Sequence, residues 1–316
     1  AVQYANQRVQ FKSPISSFGA IQSKIANMAT YCFATESAAY RAASDIENKI
    51  HELKSSGSSS QQSELKAFED FAVECSILKV AGSDNGQNCA NHGIQIFGGM
   101  GYSCDSPMEM AWRDSRIAQI YEGTNEINKM LSIAMILKKA SKGEIDLITK
   151  STEILNQIKK DINVYKFKSS QENSLEEEKH LIKNLKKAFL ILINISFQKY
   201  GTKLEYQQQI LMNMADILID IYLAESVFLR VSKNLKGMDN EKLIVQKSLV
   251  KLYTYESIQR AIISFKEVAI NVTKINEQQN MIELVNNLLS YKNNPDVVEL
   301  RRTIAKNVIQ NNKYPF

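Results

Sequence analysis

Glycine and proline are scarce in this chain, and their scarcity restricts the fold class. The 316 residues include 12 glycines and 4 prolines, whereas these two types make up about 12% of an average protein. No proline lies between Pro107 and Pro295 to interrupt a helix. A β-sandwich needs turn residues about every 8–12 positions, and a doubly wound α/β fold needs glycine-rich loops throughout. We therefore predict an all-α protein.

The sequence also lacks the patterns of a metal site, a disulfide framework or a membrane span. Its four cysteines include no C-x-x-C pair, and its three histidines are scattered. We predict free, buried thiols in a reducing compartment, with Cys32 and Cys75 on apolar helix faces. The longest apolar run, Ala188–Ile195, is far shorter than the roughly 20 residues that cross a bilayer. We expect no secretory leader, and we interpret a chain that opens with Ala1 inside an apparent helix as a piece of a longer protein.

Positive charge is concentrated in the second half of the chain. Residues 1–140 carry 13 Lys and Arg against 14 Asp and Glu, and residues 141–316 carry 26 against 20, giving net charges of −1 and +6. This excess is consistent with a solvated helical surface or with attraction to an anionic surface such as lipid headgroups. No basic cluster is interleaved with aromatic residues, so we predict no nucleic-acid partner.

Apolar periodicity predicts helices along most of the chain. A first helix ends at Phe11, and residues 12–14 turn the chain. Two long helices over about 17–50 and 64–94 are separated by a flexible serine-rich loop, residues 55–63. The apolar face predicted for the first of these helices includes Ile21, Ile25, Met28 and Cys32.

Composition divides the chain into three parts. Residues 1–140 form one helical domain, and the lysine- and isoleucine-rich residues 141–173 form a linker with a marginal amphipathic helix. Residues 174–316 form an appended helical domain. Its predicted helices span about 174–200, 204–236, 240–272 and 277–291, with a last helix after Pro295; Gly201 and Gly237 lie in the breaks. Short loops between antiparallel helices indicate a bundle.

Seven of the twelve glycines fall between Gly82 and Gly123. Within this window, Gly98-Gly99-Met100-Gly101 allows the backbone to approach a flat ligand or another backbone closely. The loop is not a phosphate-binding P-loop, because no Gly-Lys-Ser/Thr follows it. It is not a dinucleotide fingerprint either, because no predicted strand precedes it. Taken alone, the loop is equally consistent with a tight crossing of two helices.

Glu122 lies between this loop and a helix that Thr124 or Asn125 can cap. In one interpretation its negative charge stabilises the helix by interacting with the positive end of the helix dipole. In the other, Glu122 is a general base on a short, adjustable turn. Burial beside a flat apolar ligand makes a carboxylate a stronger base, as proton abstraction from carbon requires.

Several motifs then carry a family resemblance. Residues 120–127 read Ile-Tyr-Glu-Gly-Thr-Asn-Glu-Ile, and they follow Tyr4–Phe11, Pro14-Ile15, Gln95–Tyr102 and Arg113-Asp114. In order and spacing these blocks resemble the C-terminal helical domain of acyl-CoA dehydrogenases over residues 1–140. Residues 209–235 and Tyr314-Pro315-Phe316 resemble the extra domain of the very-long-chain branch. The implied fold is an acyl-CoA dehydrogenase C-terminal helical bundle followed by a second helical bundle domain.

The resemblance implies an FAD-dependent oxidoreductase of fatty acid β-oxidation, acting on long acyl chains. It would convert acyl-CoA to trans-2-enoyl-CoA. Glu122 matches the catalytic base that removes the α-proton, while the β-hydride passes to N5 of FAD. Tyr121 and Gly123 match residues that line the thioester end of the substrate pocket.

The resemblance also implies the residues that contact the cofactor. Arg8 matches an arginine that meets the FAD pyrophosphate from the neighbouring subunit, since a guanidinium suits two phosphate oxygens. The remaining cofactor residues implied in this way are Gln10 and Phe11 beside Arg8, Gln95 and Gly99 in the glycine loop, and Thr124 and Glu126 at the start of the last helix of this domain. Many members have glutamine or aspartate at the position of Glu126. Arg113-Asp114 is interpreted as a structural ion pair.

Further expectations concern partners and completeness. The resemblance implies a homodimer, an electron-transfer flavoprotein as partner, and a location in the bacterial cytoplasm or the mitochondrial matrix. The domains that cover the flavin should precede Ala1, so the fragment alone is expected neither to bind FAD tightly nor to turn over substrate. Two alternatives stay open: a non-enzymatic assembly or interaction module on the same fold, and peripheral membrane contact through residues 144–168.

Overall fold

The computed structural model describes residues 1–160, 166–167, 174–234 and 239–316, apart from the side chains of Lys159 and Asn234. These residues fold as an all-α protein, which confirms the predicted fold class. Their one strand pair joins β1 (Val9–Gln10) to β2 (Ser13–Pro14). Their helices are α1 (Val2–Gln7), α2 (Gly19–Ser55), α3 (Ser60–Asp70), α4 (Ala72–Phe97), α5 (Gly99–Tyr102), α6 (Pro107–Ile117), α7 (Asn125–Ser141), α8 (Leu147–Lys160), α9 (Glu176–Tyr200), α10 (Gln208–Asn234), α11 (Asn240–Val272), α12 (Ile275–Leu288) and α13 (Val297–Asn311).

Helix α2 buries a face lined by small side chains. Of the residues on the predicted apolar face, Ile25 is buried, and Ile21 and Met28 are half-buried and pack against the core. The prediction is wrong for Cys32, which is exposed. Small residues allow the neighbouring helices α4, α10 and α13 to approach α2 closely, so they define its packed face. The residues that α2 buries are Ile25, Ala26, Ala29, Thr30, Phe33, Ala34, Ser37, Ala38 and Ala42.

The serine-rich segment is shorter as a loop than predicted. Helix α2 continues to Ser55, and the Ser59 hydroxyl caps α3 by accepting a hydrogen bond from the Gln62 N–H at 3.3 Å. Only residues 56–59 therefore connect the two helices. The single helix predicted over 64–94 is interrupted at Phe71, whose φ of −101° and ψ of 19° separate α3 from α4.

In the second half of the chain, the helices lie within a few residues of their predicted positions. Asp239 caps α11 by accepting a hydrogen bond from the Lys242 N–H at 2.9 Å. Asp296, directly after Pro295, caps α13 in the same way. Gly201 follows the end of α9 as predicted, and Gly237 lies outside the described residues.

Among the residues that the structure describes, the buried apolar side chains form two core clusters. One joins α9, α10, α11 and α12, and the other joins α2 and α4 to α10, α11 and α13. The second cluster therefore contains side chains from both 1–140 and 174–316. Helix α13 returns to the start of the chain, where the Asn6 amide donates to the Ile309 carbonyl at 3.1 Å. The division into domains at 140 and 173 stays a prediction.

Ion pairs follow the contact between these two parts of the chain. Arg230 on α10 meets Glu36 on α2 at 2.6 Å, and Lys129 on α7 meets Asp216 on α10 at 2.6 Å. Within the second part, the Arg260 guanidinium on α11 donates hydrogen bonds from two of its nitrogens to the buried carboxylate of Asp220. Because partly buried pairs fix geometry, these contacts set the position of α10 against α2 and α7.

Helix α8 occupies much of the predicted linker and packs against α9. Leu155 and Ile158 are 8% and 4% exposed and belong to the first core cluster. The Asn194 amide of α9 donates a hydrogen bond to the Ser151 hydroxyl at 2.7 Å. Residues 161–165 and 168–173 of the predicted linker lie outside the described residues. In α8, the apolar face of the predicted membrane-contact segment is thus used for packing.

The cysteines are free thiols, as predicted, but they are not buried. Cys32, Cys75 and Cys104 are exposed and Cys89 is half-buried, because each of the first two lies at the edge of its helix's packed face. Among the described residues, no group of three His, Cys, Asp or Glu side chains could hold a metal ion. None of the helices in the described ranges is long and apolar enough for a membrane crossing.

Candidate active site

A tight hairpin follows α1 and carries three of the predicted cofactor residues. The prediction of a helix to Phe11 is wrong: α1 ends at Gln7, and β1 and β2 pair with Gln10 opposite Ser13. Phe11 and Lys12 have φ of 51° and 67°. Two left-handed residues match the twist of a two-residue hairpin, although they strain side chains other than glycine. The turn leaves Phe11 89% exposed at its tip.

The hairpin and the glycine loop enclose a cavity of about 530 Å³. It brings together five of the predicted cofactor residues: Arg8, Gln10, Phe11, Gln95 and Gly99. The Tyr4 ring stacks on Phe97 with centroids 4.1 Å apart and joins α1 to the end of α4. The sequence therefore predicted residues that are close in space although they are more than eighty positions apart in the chain.

The glycines of the loop have different structural roles. Gly98 has φ of 61° and ψ of −140°. Glycine adopts this backbone conformation readily because it has no Cβ atom, whereas other residues rarely adopt it. A Cβ atom on Gly101 would lie 2.5 Å from the Ile94 carbonyl oxygen, so this position tolerates no side chain. Gly99 lines the cavity, and a Cβ there would meet nothing within 4 Å. In this loop, Gly101 therefore allows a close approach to the backbone of α4, and Gly99 leaves space at the edge of the cavity.

Glu122 projects from a second strained turn. Glu122 and Gly123 have consecutive positive φ values of 53° and 84°. The Thr124 hydroxyl caps α7 by accepting from the Ile127 N–H at 3.3 Å. The Asn128 amide donates to the Gly123 carbonyl at 2.9 Å. A non-glycine residue in the left-handed region costs energy, and here it presents an exposed carboxylate just ahead of a helix N-terminus.

A hydrogen-bond network on α4 holds this turn. The Asp84 carboxylate accepts from the Gln119 amide at 2.6 Å and from the Asn125 amide at 2.7 Å. Asn125, which is 6% exposed, also accepts from Lys79 at 2.8 Å and exchanges hydrogen bonds with Ser83. The sequence pattern indicated only a capping role for Asn125 and gave no role to Asp84. The signal that was available is the run of three consecutive polar residues, Ser83-Asp84-Asn85, shortly after the apolar Val80-Ala81 on α4.

The Glu126 carboxyl is held by hydrogen bonds at the start of α7. Hydrogen bonds from its own backbone N–H and from the Thr124 hydroxyl hold the pKa of the Glu126 carboxyl below its ordinary value. These contacts make Glu126 a stabilising charge at the start of α7. Its predicted contact with the cofactor stays a prediction.

The face around Glu122 is open and apolar. Tyr121 is about half exposed, and so are Ile117, Ile120 and Ile127 on the neighbouring turns. None of residues 121–126 lines the 530 Å³ cavity, so the ten predicted residues form two separate groups. The prediction of an Arg113–Asp114 ion pair is wrong. Arg113 meets Glu109 at 3.3 Å instead, because residues four apart on α6 share a face.

Comparisons with known proteins find similarity to acyl-CoA dehydrogenases along nearly the whole chain. Residues 1–137 and 184–287 each match a family model described as acyl-CoA dehydrogenase, C-terminal domain. A probable acyl-CoA dehydrogenase of Bacillus subtilis is 32% identical over 98% of this chain and 52% of its own length. The rat mitochondrial very-long-chain-specific enzyme is 35% identical over 41% of this chain and 17% of its own length.

Solved structures give the same result. The crystal structure of an acyl-CoA dehydrogenase complexed with FAD from Bacillus anthracis matches with a TM-score of 0.91 and 33% identity, over 100% of this chain and 53% of that one. Acyl-CoA oxidase 3 of Yarrowia lipolytica shares the fold at 16% identity and a TM-score of 0.63, over 98% of this chain and 46% of that one. The chain thus spans about half the length of the Bacillus proteins that it resembles.

Proposed function

The chain belongs to the acyl-CoA dehydrogenase family, and from this premise we propose that it supplies the C-terminal helical part of an FAD-dependent acyl-CoA dehydrogenase. The reaction is oxidation of an acyl-CoA to a trans-2-enoyl-CoA, with long acyl chains as substrates. The observation that carries the proposal is the exposed Glu122 carboxylate, held on a strained turn by a cap and by a buried polar network.

In this proposal Glu122 removes the α-proton of the acyl thioester. Glu122 is exposed ahead of α7, next to the half-exposed Tyr121 and close in the chain to the exposed isoleucines. A substrate seated on these residues excludes the water that would otherwise solvate the carboxylate. Tyr121 and Gly123 border the thioester, and the fixed turn sets the direction of the proton transfer.

The cavity residues fit the phosphate-bearing end of FAD. Arg8 offers a guanidinium whose planar donors match phosphate oxygens, Gln10 and Gln95 offer amides, and Gly99 leaves space against the backbone. When bound, FAD would supply the acceptor for the hydride that leaves the β-carbon. We propose an electron-transfer flavoprotein as the electron-accepting partner of the assembled enzyme.

We further propose a homodimer in which the two groups of site residues serve different flavins. The turn at residues 121–126 and the cavity are lined by separate residues. This separation supports an arrangement in which Arg8, Gln95 and Gly99 reach the cofactor of the neighbouring protomer. Thr124 and Glu126 then face the cofactor of their own protomer.

The isolated chain is proposed to be inactive. The residues around Glu122 are exposed, and the cavity is lined by α1, the hairpin, the turn before α2, the first turn of α2, the end of α4 and the glycine loop. Purified chain should therefore show no retained yellow flavin colour and no turnover. A yellow preparation that oxidises acyl-CoA would contradict this part of the proposal.

The role of Glu122 is tested in the assembled enzyme that contains this chain. Glu122→Gln keeps the size of the side chain and removes the base, so kcat should fall by about 10²–10⁴-fold, the usual contribution of a positioned general base. Asp114→Asn is the matched control, because Asp114 is an exposed carboxylate on α6. Full activity of Glu122→Gln would refute the assignment.

A further inference from the structure

Cys32 on α2 and Cys89 on α4 face each other across the contact between these helices. Their sulfur atoms are 4.0 Å apart, at hydrogen-bonding distance for two thiols. The Cys89 sulfur also lies 3.8 Å from the Met28 carbonyl oxygen. No comparable side-chain contact is found for Cys75 or Cys104 in the described part of the chain. Cys32 and Cys89 therefore differ from Cys75 and Cys104 in having another thiol within hydrogen-bonding distance.

We propose that Cys32 and Cys89 form a peroxide-reactive dithiol that closes to a disulfide between α2 and α4. A disulfide requires an S–S distance of about 2.05 Å, so the two sulfurs must approach by about 2 Å. Helices α2 and α4 pack directly on each other. In this proposal, rotation of the two side chains brings the sulfurs together, with whatever shift of the backbone the geometry of a disulfide requires.

The two thiols have different reactivities. The hydrogen bond between the two sulfurs lowers the pKa of the Cys32 thiol below that of an ordinary thiol. The same hydrogen bond, together with burial, raises the pKa of Cys89. Cys32 is also exposed, while Cys89 is half-buried. Since the thiolate is the nucleophile, Cys32 reacts with the oxidant and Cys89 resolves the product.

The chemistry needs one peroxide for each disulfide. The Cys32 thiolate attacks one oxygen of hydrogen peroxide, the O–O bond breaks, and hydroxide leaves as Cys32 becomes a sulfenic acid. The Cys89 thiol then attacks the Cys32 sulfur. The S–S bond forms, the S–O bond breaks, and the leaving hydroxide takes the thiol proton to give water. Both sulfurs are oxidised and the peroxide is reduced to two waters.

The bond would connect two walls of the 530 Å³ cavity. Helix α4 leads from Cys89 into Gln95 and the glycine loop, and the start of α2 contributes Ile21 to the same cavity. Oxidation would therefore limit movement of these walls against each other. This inference does not depend on the proposed function, since the thiols and the helices are present whatever the chain catalyses.

The test uses the chain itself with cysteines removed in pairs. In the C75S/C104S variant only Cys32 and Cys89 remain, and they lie in different tryptic peptides. One equivalent of hydrogen peroxide should consume both thiols, and mapping without reduction should show the two peptides linked within one chain. In C89S, the sulfenic acid on Cys32 should persist and be trapped by dimedone.

The C32S/C89S variant is the matched control, because it keeps the unpaired Cys75 and Cys104. Its thiols should react at least about tenfold more slowly. Circular dichroism checks that each variant is folded. The proposal is overturned if peroxide oxidises the two pairs at equal rates, if the linkage joins two chains, or if Cys32 is converted to a sulfinic acid without a link to Cys89.

Discussion

The side-chain amide of Asn125 donates a hydrogen bond to Asp84 across 2.7 Å, and the Gln119 amide donates to the same carboxylate oxygen across 2.6 Å. Both ends of the segment that contains Glu122 are thus held at one oxygen on α4. The Asn125 N–H also closes the segment by donating to the Gln119 carbonyl at 3.1 Å. Asp84 therefore sets the distance between the two ends of the turn.

Replacement of Asp84 should loosen this turn. Asp84→Ala leaves the Gln119 and Asn125 amides without their acceptor, which should cost about 1–3 kcal/mol of unfolding free energy. Amide hydrogen exchange over residues 119–126 should become faster than in the unchanged chain. Asp84→Asn retains one acceptor oxygen and should show a smaller effect. Equal exchange in all three proteins would show that the turn is held by other contacts.

Alanine should have opposite effects on stability at Gly101 of the glycine loop and at Gly86 of α4. Gly101→Ala places a Cβ 2.5 Å from the Ile94 carbonyl oxygen, so the backbone must move and stability should fall by about 1–3 kcal/mol. Gly86→Ala on α4 meets nothing within 4 Å and should raise stability by up to about 1 kcal/mol, since alanine favours helix. Chemical denaturation of both variants measures the difference, and a stabilising Gly101→Ala would refute the packing role.

The contact between the two parts of the chain should depend on pH through Glu225. Burial raises the pKa of the Glu225 carboxyl, but Lys186 and Arg41, the latter at 3.1 Å, together hold it below its ordinary value. A lowered folded pKa contributes stability above the unfolded value of about 4.3, and that stability is lost as the pH falls below it.

Glu225→Gln should therefore cost about 1–3 kcal/mol at pH 7. The difference from the unchanged chain should shrink as the pH falls below about 4. Thermal unfolding across this range, with the exposed carboxylate variant Glu267→Gln as control, measures the effect. A difference that is constant from pH 7 to pH 3 would contradict the electrostatic explanation.

Helix α8 should behave as part of the core. Leu155→Ala removes a side chain that packs on α9 and should cost about 2–5 kcal/mol. Ile148→Ala, at a position that is 42% exposed, should cost less than about 1 kcal/mol. Similar small effects for both would show that α8 is not docked. Liposome co-sedimentation of the same variants then tests whether this segment binds a membrane.

Local sequence signals were sufficient for the long helices of the second half. The predicted helix over 240–272 agrees with α11, because Asp239 provides a cap and no proline or glycine interrupts the following apolar repeat. The start of α13 follows in the same way from Pro295 and Asp296. In the candidate site, Arg8, Gln95 and Gly99 line one cavity, and their contact with a cofactor stays a prediction.

Other features depend on contacts that a local pattern does not contain. The hairpin at residues 9–14 depends on the pairing of Gln10 with Ser13. The residue types in this segment are similar to those of the preceding helix, so composition alone does not indicate a strand. The face of α2 that is buried is the one whose small alanine side chains allow the neighbouring helices to pack closely. Asp84 and Asn125 are 41 positions apart, and each resembles an ordinary surface or capping residue until the fold brings them together.

The most direct test of the central claim is a single turnover of the assembled enzyme that contains this chain, mixed with a long-chain acyl-CoA without oxygen. Loss of the yellow flavin absorbance reports removal of both hydrogens from the substrate. If Glu122 is the base, Glu122→Gln should retain its bound flavin but lose the absorbance about 10²–10⁴-fold more slowly, while Asp114→Asn keeps the original rate. Loss of the absorbance at the original rate in Glu122→Gln would contradict the account.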